Sequence, residues 1–180
     1  MQIPNKAEAL TMKAYSLDEI RNQAHLIIHG RIESISYQRV QDRLMTVYKL
    51  ISIRTYKTQA KSSLNSVYIV LPGGIEGQLE QVVPGIPKLT QDTDYLAFLT
   101  CKQAQPLTCQ PIGYGQGLWS RKPSQSTPNY NAHSSWHSLT TKIHWIGPVP
   151  QNEGQSLKQL LGSLIKDESQ SHLPPSVAQP

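Results

Sequence analysis

The chain has 180 residues, with 17 Lys and Arg against 12 Asp and Glu, a net charge of +5 and a pI near 9.2. That length fits one domain with a sizeable core, and the longest apolar run, Val67 to Leu71, is far short of the roughly 20 residues of a membrane-spanning helix. Charged residues make up only 16% and are scattered, while Gln and Ser (18 each) fill the polar surface, a balance more typical of exported bacterial proteins than of cytosolic enzymes and too diffuse for a strong polyanion binder.

Residues 1–15 read as a polar lead-in. No apolar stretch of about 7–15 residues marks a signal peptide there, so the expectation is an exported chain whose leader has been removed, with a cytoplasmic chain as the alternative. Ser16-Leu17-Asp18-Glu19 has the spacing of a capping box, and Leu17, Ile20 and Ala24 share one helical face. This predicts a short helix ending near His25 and an N-terminal unit over residues 1–23.

The main domain is expected over residues 24–147. Leu26 to Tyr37 alternates as a strand, and its apolar parity shifts after Gly30, which predicts a bulge at Glu33-Ser34. Gln41-Asp42-Arg43 is a turn, and Leu44 to Tyr56 is a second strand rich in β-branched and aromatic residues. Val67 to Leu71 is a third strand. A block rich in Gly and Pro follows, then the polar turn Leu89 to Asp94, then a fourth strand, Tyr95 to Cys101. Gln110 to Trp119 reads as a fifth strand, loosened by Gly113, Gly115 and Gly117. A long loop is expected over 121–138, then a short sixth strand, Thr140 to Ile146, returning to the body. Ser156 to Lys166 carries an apolar stripe (Leu157, Leu160, Leu161, Leu164, Ile165), giving an amphipathic helix within 148–168. Residues 169–180 read as a disordered tail. The pattern predicts a mainly β fold, a small bent antiparallel barrel of the OB-like kind, with a two-sheet β-sandwich as the alternative.

The chemistry is sparse. Cys101 and Cys109 flank a Pro-containing loop and are expected to close a disulfide, which would place the chain in an oxidising compartment. Gly73-Gly74-Ile75-Glu76-Gly77 lacks the Gly-Lys-Ser/Thr ending of a phosphate loop, and no Gly-x-Ser-x-Gly occurs, so no cofactor motif or nucleophile emerges. Asp92 and Asp94 read as turn residues, and Glu76 and Glu80 as solvated loop charges. His133, His137 and His144 are weak metal candidates because no Asp, Glu or Cys lies between Arg121 and Gln151. Tyr37, Arg39, Arg43, Tyr48, Arg54, Tyr56 and Lys57 would be the platform of a single-stranded nucleic-acid binder. The favoured site is the Gly-alternating segment, where Tyr114, Gln116, Trp119 and Arg121 would meet a protein or polysaccharide partner across a bare strand face. A non-catalytic binding or scaffolding module of the envelope or exterior is therefore expected, ahead of a nucleic-acid binder and of a hydrolase or metal-dependent enzyme.

The order Leu-Ile-Ile-His-Gly-Arg-Ile, Pro-Gly-Gly, Val-Pro-Gly-Ile-Pro, Tyr-Leu-Ala-Phe-Leu and Gly-Tyr-Gly-Gln-Gly resembles a group of uncharacterised, mostly exported bacterial proteins. They share a Gly-Gly…Gly-x-Pro…Phe-Leu core, here over about residues 24–120. The resemblance implies export and assigns no site residue.

Overall fold

The computed structural model describes residues 11–59, 64–102, 106–121, 135–139, 144–146 and 154–164. The chain enters through a short strand, β1 (Thr11–Lys13), and a helix, α1 (Leu17–Gln23). The Ser16 hydroxyl accepts from the Glu19 N–H, and Glu19 reaches back to the Ser16 N–H at 2.8 Å, so the capping box forms as its spacing predicts. That backbone bond, then the Lys13 amine, lowers the Glu19 pKa to about 2.

Two long strands follow, β2 (Leu26–Val40) and β3 (Arg43–Thr58), joined by Gln41 and Asp42, both at positive φ. β4 (Ser66–Pro72) pairs antiparallel with β3. A small hairpin, β5 (Gly74–Glu76) and β6 (Leu79–Gln81), stands apart from the main sheet. β7 (Asp94–Lys102) pairs with β2, and β8 (Thr108–Pro111) pairs antiparallel with β7 and parallel with β4. The succession β2-β3-β4-β8-β7 and back to β2 thus closes a ring of five strands, antiparallel except for the parallel contact of β4 with β8. After β9 (Leu118–Arg121) and β10 (Trp136–Ser138), which extend the sheet beyond β7, come β11 (His144–Ile146) and helix α2 (Leu157–Leu161).

The bend that lets β2 serve both β3 and β7 is local. Its register against β3 shifts at Ile27/Ile28, His29/Gly30 and Ile32/Ser34, the last at the predicted bulge. At Gly30 a Cβ would lie 2.4 Å from the Ile51 carbonyl oxygen, so only glycine permits that approach.

Strand alternation builds two cores. Leu26, Ile28, Leu50, Val67, Ile69, Leu71, Ala97, Leu99 and Leu118 fill the ring. Ile27, Leu96 and Phe98 point the other way, against Ile20, Ala24, Trp119, Trp136, Leu160 and Leu161. α1 and α2 roof that outer face, and Leu160 and Leu161 are fully buried there, so the apolar stripe of the C-terminal helix docks on its own domain. The Arg21 side chain ties the helices together, its Nε donating to the Leu160 carbonyl at 2.9 Å.

Four expectations change. The Gly-alternating segment is no strand: Gly113 and Tyr114 both take positive φ (54° and 50°), which breaks extended backbone, and Tyr114–Gly117 winds into a 3-10 turn. The ends of the loop expected over 121–138 are strand, because Trp136–Ser138 pairs with Trp119–Arg121 and buries Trp136. β11 does not return to the ring but pairs in parallel with β1, Thr11 opposite His144, which also makes a strand of part of the lead-in. The C-terminal helix is shorter than its stripe, since Gly162 at φ 55° turns it into a 3-10 turn ending at Leu164. Residues 122–134, 147–153 and 165–180, including Ile165, Lys166 and the expected tail, lie outside the described residues.

Candidate binding cleft

β4 ends where the Gly/Pro block begins, and backbone chemistry there shapes one end of the ring. The Gly73 N–H donates to the Leu44 carbonyl (2.8 Å), and the Thr46 hydroxyl donates to the Gly73 carbonyl (2.8 Å). Gly74 then passes so close that a Cβ on it would sit 2.7 Å from the Tyr37 ring. The chain runs out through β5, turns at Gly77 and returns through β6. Pro84 and Gly85 make the next turn, closed by the Ile86 N–H on the Val83 carbonyl at 3.2 Å, with Gly85 at φ 81°. The block is therefore a shaped wall, not a phosphate cradle.

Between this wall and the β2–β3 hairpin lies a cleft of about 110 Å³, lined by Ile35, Tyr37, Tyr48, Leu71, Ile75 and Val82 among others. Its floor is fixed by phenols. The Tyr48 hydroxyl accepts from the Leu89 N–H at 3.4 Å, and the Tyr95 hydroxyl accepts from the Thr90 N–H at 2.9 Å. Burial pushes the Tyr48 phenol above its ordinary pKa, against the hydrogen bonds from Leu89 and Thr46. Its rim carries two ion pairs, Arg39 with Glu76 (Nε to Oε1, 2.8 Å) and Lys88 with Glu80. Each holds its charges on: Arg39 lowers the Glu76 carboxyl, and Glu80 raises the Lys88 amine. Glu76 and Glu80 are thus paired rather than freely solvated.

The exposed apolar surface is concentrated here. Eight large hydrophobic residues are exposed among those described; Tyr37, Ile75 and Val82 line the cleft, and Val40 and Leu79 stand on the hairpins beside it. Leu79, 74% exposed, is the extreme case.

The four residues expected to form a partner site do not share a surface. Trp119 is 5% exposed, packed in the second core, its Nε1 buried without a hydrogen-bond partner among the described residues. Gln116 is 2% exposed and its amide is used internally, on the Tyr15 N–H (2.8 Å) and the Lys13 carbonyl (3.0 Å). Tyr114 packs partly against the ring core. Arg121 lies 3.9 Å from Asp94.

Asp94 is the feature that sequence reasoning missed. Read as a turn residue, it is 7% exposed at the start of β7, with the Arg31 Nε donating to one oxygen at 2.6 Å and His29 Nε2 standing 3.8 Å from the other. Burial alone would raise its pKa; the nearby His29 imidazole and the Arg31 guanidinium outweigh that and hold the carboxyl well below the usual range. His29 in turn sets its ring edge-on to Trp136 at 5.2 Å. A histidine inside the apolar run Leu26 to Ile32 was the available signal, since a buried imidazole needs a polar partner.

Of the nucleic-acid candidates, Tyr37, Tyr48 and Arg39 meet at the cleft, where Tyr48 is buried and Arg39 pairs with Glu76; the others lie apart, Arg43 at the hairpin turn, Arg54 5.3 Å over Tyr56, and Lys57 donating to the Arg21 carbonyl at 2.9 Å. Of the metal candidates, His133 lies outside the described residues, His137 sits on β10 opposite Ser120, and His144 begins β11. No group of three His, Cys, Asp or Glu able to share a metal ion occurs among the described residues.

Cys101 and Cys109 stand directly opposite on β7 and β8, Cα atoms 4.0 Å apart, and are joined as a disulfide. No helix is long and apolar enough to cross a membrane among the described residues. Comparison with protein-family models and with curated proteins finds no match for this chain.

Proposed function

We propose that this chain is a non-catalytic binding module of the bacterial envelope or exterior that takes an extended segment of a protein partner at the cleft. The gathering of Tyr37, Val40, Ile75, Leu79 and Val82 at one end of the ring carries this reading. An exposed apolar patch rimmed by charge is the surface of an interaction site. Among the described residues β6 pairs on one side only, with β5, so its other edge offers backbone groups to an added strand while Leu79 and Val82 offer apolar contact. The ring and its long, bent first hairpin support an OB-like barrel, an architecture that binds extended ligands. A protein segment fits better than a nucleic acid because the rim cations are already neutralised and the other basic and aromatic candidates form no common groove. The reading is non-catalytic because the polar groups of the cleft are held in ion pairs and internal hydrogen bonds.

The test is a photo-crosslinking residue placed at Leu79 or Val82 in the native host, with Ile53 as the exposed control. A discrete protein adduct from the two cleft positions and none from Ile53 is expected. Equal adducts from all three, or none, would refute the reading, and salt-sensitive binding of single-stranded DNA would replace it with the nucleic-acid alternative. The disulfide supports the exported location. Acid-quenched alkylation of the protein in its host is expected to find no free thiol; two free thiols would place it in the cytoplasm.

A further inference from the structure

A second candidate site lies away from the cleft, on the side where the lead-in crosses the 3-10 turn. Among the described residues, four non-glycine residues take positive φ: Gln41, Asp42 and Asp92, which are polar turn residues, and Tyr114, which is aromatic. An aromatic side chain gains nothing locally from left-handed backbone, where Gly or Asn would sit with less strain. Gln116 explains how the neighbourhood is held. Its buried amide accepts from the Tyr15 N–H and donates to the Lys13 carbonyl, clamping residues 13–15 against the turn. Tyr15 and Tyr114 thereby line one shallow groove of about 340 Å³, with Gln23, Thr100, Gln110 and Lys13.

From this lining, we infer that the groove is a subsite for a neutral carbohydrate. It combines two phenol rings, two exposed primary amides and a threonine hydroxyl, and a pyranose presents a C–H face to rings and vicinal hydroxyls to amides. Lys13 is the one charged group in the lining among the described residues, and it is compensated by Glu19 at 3.0 Å while lying 4.9 Å over the Tyr15 ring. An anionic ligand would need an uncompensated cation. The inference is independent of the protein-binding cleft.

Calorimetric titration with neutral hexasaccharides (malto-, cello- and chito-series) tests it, on the natural chain, Tyr114→Gly, Gln110→Ala and Ile53→Ser. At least one series should bind at millimolar concentration or below. Tyr114→Gly should weaken that binding at least tenfold; glycine adopts the same φ freely, which offsets part of the packing on the ring core that is lost with the phenol, and circular dichroism checks that the fold is kept. Gln110→Ala, an exposed change, should weaken binding with the fold intact, and Ile53→Ser, exposed on β3 outside both sites, should bind like the natural chain. No binding in any series, full binding by Tyr114→Gly, or full binding by Gln110→Ala would each overturn the proposal. Should Tyr114→Gly unfold, Gln110→Ala decides.

Discussion

The outer face of β7 and the open end of the ring are both built of large apolar residues and end in opposite states. Leu96, Phe98, Trp119, Trp136, Leu160 and Leu161 are at most 5% exposed, whereas Tyr37, Val40, Ile75, Leu79 and Val82 are 43–74% exposed. The first group is covered because two capped helices bring Ile20, Leu160 and Leu161 onto that face. In the second, Tyr37 and Val40 of the long β2–β3 hairpin meet a hairpin with three residues in each strand, too small to cover them and itself carrying Ile75 and Leu79 outward. Burial on one side stabilises the fold; exposure on the other is affordable only because the two cores already supply enough apolar contact.

Three measurements would break or sharpen that contrast. The largest effect is expected from Phe98→Ala, since Phe98 is fully buried between β7 and the helices. Chemical denaturation should show a loss of about 3–5 kcal/mol; a loss near that of a surface change would mean the helices contribute little cover. Next comes Asp94→Asn, which leaves Arg31, His29 and Arg121 without their carboxylate. Because Arg31 is half exposed, the loss should be smaller than for a fully buried pair, about 2–4 kcal/mol. The pH dependence carries a sign. The folded carboxyl titrates below its unfolded value of about 3.9, so its stabilisation is complete above that pH and fades as pH falls further. The variant should flatten the acid limb of a stability–pH curve, leaving the shallower contribution of carboxyls such as Glu19; an unchanged slope would show that Asp94 is not held ionised by the fold. The smallest effect belongs to Leu79→Ser, expected within about 0.5 kcal/mol of the natural chain. A loss of several kcal/mol would make Leu79 a core residue and remove the argument for an open end.

Much of the β architecture was legible because it follows period and punctuation. Leu26 to Ile28 and Tyr95 to Leu99 are continuous apolar runs of the kind a strand buried on both faces carries, and Ser16 and Glu19 announce their helix by a local bond. The glycine segment misled because alternation of Gly113, Gly115 and Gly117 looks like a strand, while two consecutive left-handed residues make a turn. The partner site misled for a different reason. Trp119 and Gln116 have the chemistry of interface residues, but an indole and an amide serve equally well inside, and only their neighbours decide. Leu79 and Val82 gave no signal, since an apolar residue in a loop block reads as core.

What the sequence determined by itself is local: strand periods, helix caps, turn residues, the cysteine pair opposite across a hairpin, and the absence of a long apolar run. The tertiary structure decided everything that depends on distant pairing. It closed the ring through the parallel contact of β4 with β8, paired β1 with β11, and buried Asp94 beside His29 and Arg31. It also chose which apolar residues stay exposed. Backbone propensity and side-chain period act over a few residues, whereas burial is a property of which surfaces meet, and that is fixed only when the whole chain has packed.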